Sequence, residues 1–330
     1  MQSSHRKALG VLGILISVAL LCAAFWDVDV RALVATFKAA EWPPLLGVVA
    51  LNLGMLGVRG WRWRAIIAAT EALPLTKVVL ATTIGHMANN FLPARGGELV
   101  RVLVLAGQTG ASKAMLLGSL VVDHTLEGLG LVLVMLGLPL MFDTPVWLTT
   151  ITVTLASITV AAIGVGLVVM ALGTAGRSSR LWLPGAIKPR VERLVGRLGE
   201  GFETLHDVKR TLAVVAIGLC GWIVQGVMVY LCFTAMHIEL DLAHALFVLA
   251  AINVAVMIPG APSGVGTFEF ATVVALGAFG VAKTPALSLA LVYHFAQIIP
   301  TVLVGLASLP AVQLRLADLT RAEVATGKRA

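Results

Sequence analysis

The chain has 330 residues, of which 58% are hydrophobic and 12% are charged, and its formal net charge is +7. Soluble domains carry about 25% charged residues, so this composition excludes a soluble enzyme and predicts an all-α polytopic membrane protein. The cysteines Cys22, Cys220 and Cys232 lie in apolar runs outside any CxxC or Cys/His cluster. They indicate neither a disulfide framework nor a metal site, and we expect no cofactor.

A transmembrane helix requires about 20 mostly apolar residues. The first such run follows the basic residues Arg6 and Lys7, and Leu21 stands where a lipobox would need a small residue before Cys22. We therefore interpret this run as an uncleaved anchor. Together with the later runs it gives six predicted transmembrane helices, at 8–26, 43–58, 113–141, 146–174, 211–236 and 284–310.

Two further regions, 76–108 and 242–280, each contain two apolar runs that are too short to cross a bilayer at about 1.5 Å per residue. Proline and clustered glycine, which end helices, separate the two runs. Broken backbone at membrane depth is tolerated only where protein or a water-filled cavity covers it. Each region is therefore predicted to be a re-entrant helical hairpin whose break lines a cavity. The alternative is one kinked span followed by a surface helix. The break residues are Pro93, Gly96 and Gly97 in the first hairpin and Pro259, Gly264 and Gly266 in the second.

The distribution of Lys and Arg predicts the orientation. With a cytoplasmic N-terminus, most of the 24 Lys and Arg residues fall in cytoplasmic segments, including Arg59, Arg62 and Arg64 after the second span. Cytoplasmic segments of membrane proteins carry such an excess, so we expect both termini in the cytoplasm of a bacterial inner membrane. The positive charge favours anionic lipid head groups as partners and argues against nucleic acid.

The segment 177–210 is predicted to be a cytoplasmic amphipathic linker. Its apolar residues recur at helical spacing, and charged residues fill the other face. Such a helix lies on a membrane interface. We interpret it as a strap between the two halves of the protein, with direct substrate contact as the alternative.

The chain is predicted to form a single membrane domain, 1–330, and the order of its segments predicts an inverted-topology repeat. The first repeat, 43–141, and the second, 211–310, each read as span, hairpin and span. The hairpins follow spans that end on opposite sides, so they are predicted to enter the membrane from opposite faces. Inverted repeats with broken helices are typical of transporters, whose substrate lies near the midplane between the repeats.

Ionisable residues at membrane depth are costly and mark functional sites. In the first hairpin, Glu98 and Arg101 are three residues apart and close enough to pair. The helix that begins near Gly97 presents its first N–H groups to an anion, and Arg95 beside it is suited to bidentate phosphate binding. The alternative is an internal Arg–Glu pair that only locks the hairpin.

Asp123 and Glu127 are four residues apart and share one face of the predicted span 113–141. We expect them to pair with Arg95 or Arg101, and a proton-coupled carboxylate is the alternative. The full set of predicted substrate-binding residues is Asn89, Asn90, Arg95, Glu98, Arg101, Asp123, Glu127, Asn253 and Glu269.

Three other polar residues, His86, His294 and Gln297, are more typical of packing than of substrate contact. No catalytic residue is predicted. The glycines Gly264 and Gly266 are not followed by Gly-Lys-Ser/Thr, and the chain contains neither HExxH nor GxSxG.

Two motifs resemble the signatures of a known family. The segment 89–98, Asn-Asn-Phe-Leu-Pro-Ala-Arg-Gly-Gly-Glu, with Arg101 after it, resembles the first signature of the lysylphosphatidylglycerol synthase transmembrane (flippase-like) family. The segment 259–269 is similar to the second signature. The resemblance implies a stand-alone member without the synthase domain, and it makes Arg95, Glu98, Arg101 and Glu269 the leading site candidates.

The resemblance also implies a function. In bacterial multiple-peptide-resistance proteins such a region moves aminoacylated phosphatidylglycerol to the outer leaflet, and some stand-alone members are associated with glycolipid, polyprenyl-phosphate sugar or hopanoid pathways. Our first hypothesis is therefore a flippase that moves a polar or anionic lipid. Its expected partners are membrane lipids and lipid-modifying enzymes of the same pathway.

Two other functions are open. An integral-membrane enzyme acting on a lipid-linked substrate would use Asp123, Glu127 and Glu98 as acid and base. A small-solute secondary transporter is equally compatible with an inverted repeat.

Overall fold

The structure is a computed structural model that describes residues 15–92, 95–143, 146–174, 194, 196–257 and 261–313. These residues form helices and connecting turns without a β-strand. In chain order the helices are α1 (Leu15–Phe25), α2 (Val30–Ala39), α3 (Trp42–Ile67), α4 (Leu75–Asn89), α5 (Gly97–Thr109), α6 (Lys113–Gly137), α7 (Val146–Thr174), α8 (Val208–Ala235), α9 (Leu242–Ala255), α10 (Thr267–Gly277) and α11 (Lys283–Ser308). Short 3₁₀ turns lie at Leu138–Leu140, Glu203–His206, Pro262–Gly264 and Pro310–Val312.

Within the described residues, five helices are long and apolar enough to cross a membrane. They are Trp42–Ile67, Lys113–Leu140, Leu148–Gly166, Val208–Ala235 and Lys283–Ser308. They confirm a multi-pass all-α membrane protein and correspond to five of the six predicted spans. The remaining prediction, 8–26, is not confirmed as a span, because the described helix there is only Leu15–Phe25 and residues 1–14 lie outside the described part.

The helix of the second span is longer than the predicted range 43–58, and it includes three arginines that were predicted to follow the span. Helix α3 starts with two prolines in its first turn, where the missing N–H groups have no helical partner anyway, and it continues to Ile67. Arg59, Arg62 and Arg64 therefore lie on the helix, and their cytoplasmic placement stays a prediction. Apolar residues interleaved with the arginines, Trp63 among them, bury one face and continue the helix.

Helices α4 and α5 pack side by side in antiparallel directions. Lys77 Nζ donates to the carbonyl oxygen of Gln108 at 2.9 Å, which joins the start of α4 to the end of α5. Near the break the backbones touch, because a Cβ added at Gly97 would overlap the carbonyl oxygen of Gly85. The described residues of the first predicted hairpin thus form a helical pair. Its break residue Pro93 lies outside the described residues, and entry and exit on one membrane side stay a prediction.

Helices α9 and α10 form the second pair. Their distant ends meet through Phe247 and Phe279, whose ring centroids are 5.0 Å apart. The turn before α10 contains Gly264 at φ 74° and Gly266 at φ 89°, which are backbone conformations that glycine adopts without strain. Pro259, the first predicted break residue of this pair, lies outside the described residues.

The turns of the two helical pairs meet. The hydroxyl of Ser263 donates to Asn90 Oδ1 at 2.5 Å, joining the turn after α4 to the turn before α10. Helix α11 packs closely beside this contact, since a Cβ at Gly305 would overlap the side chain of Met87 on α4. The structure therefore brings the two predicted breaks to one place.

Two apolar cores flank this meeting point. One lies among α3, α4, α5 and α6 and includes Trp63, Ile84, Leu105 and Leu116. The other lies among α6, α8, α9, α10 and α11 and includes Phe233, Phe247, Leu276 and Tyr293. Helix α7 packs on the outside against α6, and its exposed side chains include Val153, Ile158 and Val160, as expected of a surface in contact with lipid.

Most of the predicted amphipathic linker, 177–210, lies outside the described residues. Its described end is helical at 196–200 and then forms the 3₁₀ turn before α8. The hydroxyl of Thr204 donates to the carbonyl oxygen of Ile66 at 2.7 Å, and Phe202 is buried against Ile66 and Val214. This end of the linker therefore fastens the C-terminal end of α3 to the start of α8.

A buried charge cluster as the candidate functional site

Six ionisable side chains from three helices meet in the first half of the molecule, and we call them the charge cluster. They are Arg62 on α3, Glu98 and Arg101 on α5, and Asp123, His124 and Glu127 on α6. The helical spacing i, i+3 on α5 and i, i+4 on α6 places the members of each helix on one face. Helix α6 packs against both α3 and α5, so the three faces converge.

Asp123 is the centre of the charge cluster. Its Oδ1 lies 2.8 Å from Nε of Arg62, and its Oδ2 lies 3.1 Å from Nη2 of Arg101. The exposed fractions of the three residues are only 1% for Asp123, 5% for Arg62 and 1% for Arg101. Burying a single ion costs several kcal/mol, and removing one partner of a buried ion pair destabilises a protein by about 3–5 kcal/mol. Each of these three charges therefore depends on the others to remain buried.

The outer part of the charge cluster is more accessible. Glu98 Oε2 lies 2.8 Å from Arg101 Nε, and Glu127 Oε2 lies 3.3 Å from Arg62 Nη2. His124 bridges the two glutamates, at 3.2 Å from Glu98 and 3.4 Å from Glu127. The His124 side chain is 37% exposed, against 2% for Asp123. The cluster is thus closed at Asp123 and open at His124.

The Glu98–Arg101 contact is an ion pair without hydrogen-bond geometry. Arg101 Nε and Glu98 Oε2 are both buried, and neither makes a hydrogen bond. The other oxygen of Glu98 accepts from Asn89 Nδ2 at 3.1 Å, and the Arg101 guanidinium lies 4.5 Å from the centre of the Trp63 ring. These two groups therefore hold hydrogen-bonding capacity that a ligand or a rearranged partner can take up.

A second acidic site lies in the first turn of α10, where Glu269 pairs with His294 on α11. Glu269 Oε2 accepts from the backbone N–H of Gly266 at 2.6 Å, and Oε1 lies 2.6 Å from His294 Nδ1. The other imidazole nitrogen, Nε2, lies 3.1 Å from the carbonyl oxygen of Ser263. A carbonyl oxygen only accepts, so Nε2 carries a hydrogen. The 2.6 Å contact then holds one proton, on either Nδ1 or the Glu269 carboxyl.

The structure places four of the predicted site residues in the charge cluster, namely Glu98, Arg101, Asp123 and Glu127. Asn89 touches the cluster through Glu98. The expected pairing of Asp123 with Arg101 is present, whereas Glu127 pairs with Arg62 and not with Arg95 or Arg101.

The other predicted residues lie elsewhere. Asn90 joins the two turns through Ser263, and Glu269 pairs with His294. Arg95 is exposed at φ 56° and forms no ion pair with a described residue. Asn253 donates within its own helix to the carbonyl oxygen of Leu249 at 2.8 Å. The functional roles of these residues stay predictions.

Two members of the charge cluster, Arg62 and His124, were not among the predicted residues. Arg62 was assigned to a cytoplasmic segment because the second span was taken to end at residue 58. The sequence signal that would have identified Arg62 is the helical spacing of Arg59, Arg62 and Ile66. This spacing indicates that the helix continues for about two turns beyond residue 58. His124 was not predicted because its contact with Glu98 on α5 depends on packing between helices, which the sequence does not show.

Five apolar helices of membrane length among the described residues define a multi-pass membrane protein. The two sequence motifs resembled one family, and the family model described as the lysylphosphatidylglycerol synthase TM region matches residues 10–305. The chain belongs to this family. It is also similar to a UPF0104 membrane protein of Methanothermobacter thermautotrophicus, which is 24% identical over 329 residues, covering 92% of this chain and 96% of that protein.

Proposed function

We propose that the protein is a lipid translocase, a transporter and not an enzyme. It moves a lipid with a polar or anionic head group across the bacterial inner membrane while the acyl chains stay in the bilayer. The observation that carries this proposal is the charge cluster, which holds cations and anions together between two helices of membrane length, α3 and α6, and the shorter helix α5. Charged groups at membrane depth are costly and mark substrate pathways.

The charge cluster suits a head group because its outer ion pairs can be exchanged. A lipid phosphate competes for an arginine, and a cationic amine competes for Glu98 or Glu127. The inner pairs of Asp123 stay closed and keep the cluster neutral enough to remain buried. A head group therefore finds replacement partners at the accessible edge near His124 as it leaves water.

The meeting of the two turns suggests the route. If the two helical pairs are re-entrant and related by an inverted repeat, the Asn90–Ser263 contact lies near the membrane midplane. Opening this contact would join the two sides of the membrane. On this proposal both termini are cytoplasmic, and lipid-modifying enzymes of the same pathway supply or consume the lipid.

The proposal is tested by lipid movement in proteoliposomes. The protein is reconstituted with fluorescent phosphatidylglycerol, and a quencher added outside reports the fraction of lipid that stays protected. We expect rapid loss of the protected pool with the wild type. With Glu127→Gln we expect a rate about tenfold lower, since the loss of one charged hydrogen bond costs about 1.5–3 kcal/mol. The matched control Glu41→Gln changes an exposed carboxylate and should leave the rate unchanged.

The other functions give different results. A chemically altered lipid detected by mass spectrometry after incubation would indicate an enzyme. Saturable uptake of a water-soluble solute, without lipid movement, would indicate a solute transporter. Either result, or a Glu127→Gln rate equal to that of the wild type, would contradict the proposal.

A further inference from the structure

One arginine of α3 differs from the other arginines near the charge cluster. Arg62 and Arg101 each contact two carboxylates, whereas Arg59 forms no ion pair with any described residue. Its single described side-chain hydrogen bond runs from Nη2 to the neutral Gln225 Oε1 at 3.3 Å. Its Nε is buried and makes no hydrogen bond. A half-buried guanidinium on a membrane-length helix thus has most of its donors unused.

The carboxylates nearest to Arg59 are already engaged. Glu127 and Glu98 interact with Arg59 electrostatically, but their close contacts are with Arg62, His124 and Arg101. Arg62 itself lies one helical turn from Arg59, about 4.5 Å along the axis, and repels it. The immediate surroundings of Arg59 therefore lack a dedicated counter-ion among the described residues.

Other groups around Arg59 are neutral or can donate hydrogen bonds. Tyr293 on α11, 1% exposed, lies close enough to Arg59 to be affected by its charge, and its hydroxyl is buried without a hydrogen-bond partner. His86 on α4 also interacts with Arg59, and its Nδ1 donates to the carbonyl oxygen of Thr82, which leaves Nε2 without a described partner. Gln225 on α8 completes the set. Three other helices, α4, α8 and α11, thus place polar groups near Arg59, and two of these groups, the Tyr293 hydroxyl and His86 Nε2, have no described hydrogen-bond partner.

We propose that Arg59, with Tyr293, His86 and Gln225 around it, binds the oxyanion of an anionic lipid head group. The inference rests on the proposed function and deepens it by naming the anion-binding residue. From the sequence, Arg95 was the predicted phosphate-binding residue and Arg101 was one of the predicted substrate-binding residues. A phosphate at Arg101 would have to displace the carboxylates of Glu98 or Asp123, whereas a phosphate at Arg59 would take up the unused guanidinium and phenol donors and supply the missing negative charge.

The test titrates the purified full chain in neutral detergent with phosphatidylglycerol and follows its thermal unfolding, because a ligand of the native state raises the unfolding temperature in proportion to its binding. Phosphatidylcholine replaces the anionic lipid in a second titration, and sodium phosphate replaces it in a third. The variants are Arg59→Gln and Arg59→Lys. The matched control is Arg31→Gln, which changes an exposed arginine on α2.

We expect phosphatidylglycerol to bind the wild type and Arg31→Gln equally. Arg59→Gln should bind it about tenfold more weakly or worse, because at least one charged hydrogen bond is lost. Arg59→Lys should be intermediate, since it keeps the charge and loses the planar fork. Without lipid, Arg59→Gln should unfold at the same or a higher temperature, because a cation without a counter-ion costs free energy. If sodium phosphate also binds and its binding depends on Arg59, the oxyanion alone is recognised. If only the lipid binds, the whole head group is needed. Both outcomes support the site.

Three results would overturn the inference. These are equal phosphatidylglycerol binding by Arg59→Gln and the wild type, equal preference of the wild type for phosphatidylcholine, and a lipid-free Arg59→Gln variant that fails to fold. The last would make Arg59 a structural residue. Failure of the inference is separable from failure of the proposed function. If Arg59→Gln translocates lipid at the wild-type rate, only the inference about Arg59 is contradicted. If phosphatidylglycerol binding depends on Arg59 but no lipid is translocated, only the proposed translocase function is contradicted.

Discussion

Asp123 lies between two guanidinium groups, and its removal leaves both of them buried without a counter-ion. We predict that Asp123→Asn lowers the free energy of unfolding by about 3–5 kcal/mol, the cost of breaking a buried ion pair. The measurement is equilibrium unfolding in detergent. The control Asp143→Asn changes an exposed aspartate and should stay within about 0.5 kcal/mol of the wild type. Equal stability of the two variants would mean that Asp123 is not held as the structure shows.

Glu269 offers a substitution that keeps every hydrogen bond while removing the titratable proton. In Glu269→Gln the amide oxygen can accept from Gly266, and the amide N–H can donate to His294 Nδ1. We therefore predict near wild-type stability for Glu269→Gln and a loss of about 1–3 kcal/mol for Glu269→Ala, in which the Gly266 N–H is left unpaired. Thermal unfolding of the two variants checks this. A glutamine variant as unstable as the alanine variant would show that the carboxylate charge itself is required.

At the scale of elements, the close contact of α4 and α5 depends on glycine. A Cβ at Gly97 would overlap the Gly85 carbonyl oxygen and the Asn89 side chain, so Gly97→Ala should separate the pair and cost about 1–3 kcal/mol. On the same helix, Gly107 has no neighbour within 4 Å of an added Cβ. Gly107→Ala should be neutral or stabilising by up to about 1 kcal/mol, because glycine is a poor helix former. If both variants unfolded alike, the helices would not touch at Gly97.

The start of α9 carries a titratable cap, Asp241, whose side chain is exposed. The backbone N–H of His244 donates to the Asp241 carboxylate, and this hydrogen bond holds the pKa of Asp241 below its usual value near 4. Because the pKa is depressed in the folded state, the charged cap stabilises the helix at any pH above the usual pKa of an aspartate. This stabilisation is lost as the pH falls through the pKa of the folded state.

Asp241→Asn keeps a capping oxygen but does not titrate. We predict similar stability of this variant and the wild type at pH 7. Between about pH 5 and pH 2 the wild type should lose more stability than the variant, because only the wild type loses a charged cap. Unfolding temperatures measured across this range test the prediction, and parallel pH profiles would contradict it.

At the scale of the whole molecule, the class of protein and most of the long helices follow from the sequence. Length and apolar composition suffice for α6, α7, α8 and α11, since a bilayer imposes a minimum helix length. The pairs Glu98–Arg101 and Asp123–Glu127 were placed on common faces by helical spacing alone. These predictions succeed because they use only local geometry.

The remaining features depend on packing between helices. The end of α3 was missed because three arginines within six residues resemble a loop at a membrane surface. Arg62 can be buried only because Asp123 and Glu127 on α6 pair with it. The contact of Asn90 with Ser263 joins residues that are 173 positions apart, and no local pattern encodes it. The sidedness of the two helical pairs stays a prediction.

On the proposed function, a lipid head group passes between the two turns that meet at Asn90 and Ser263. The most direct test places cysteines at both positions in a chain whose three native cysteines are replaced. A short reagent that bridges two thiols through reducible bonds then fixes the turns together, and lipid movement is followed in proteoliposomes. We predict that bridging stops the movement of phosphatidylglycerol and that a reductant restores it. Movement at the unbridged rate while the bridge is intact would contradict the account.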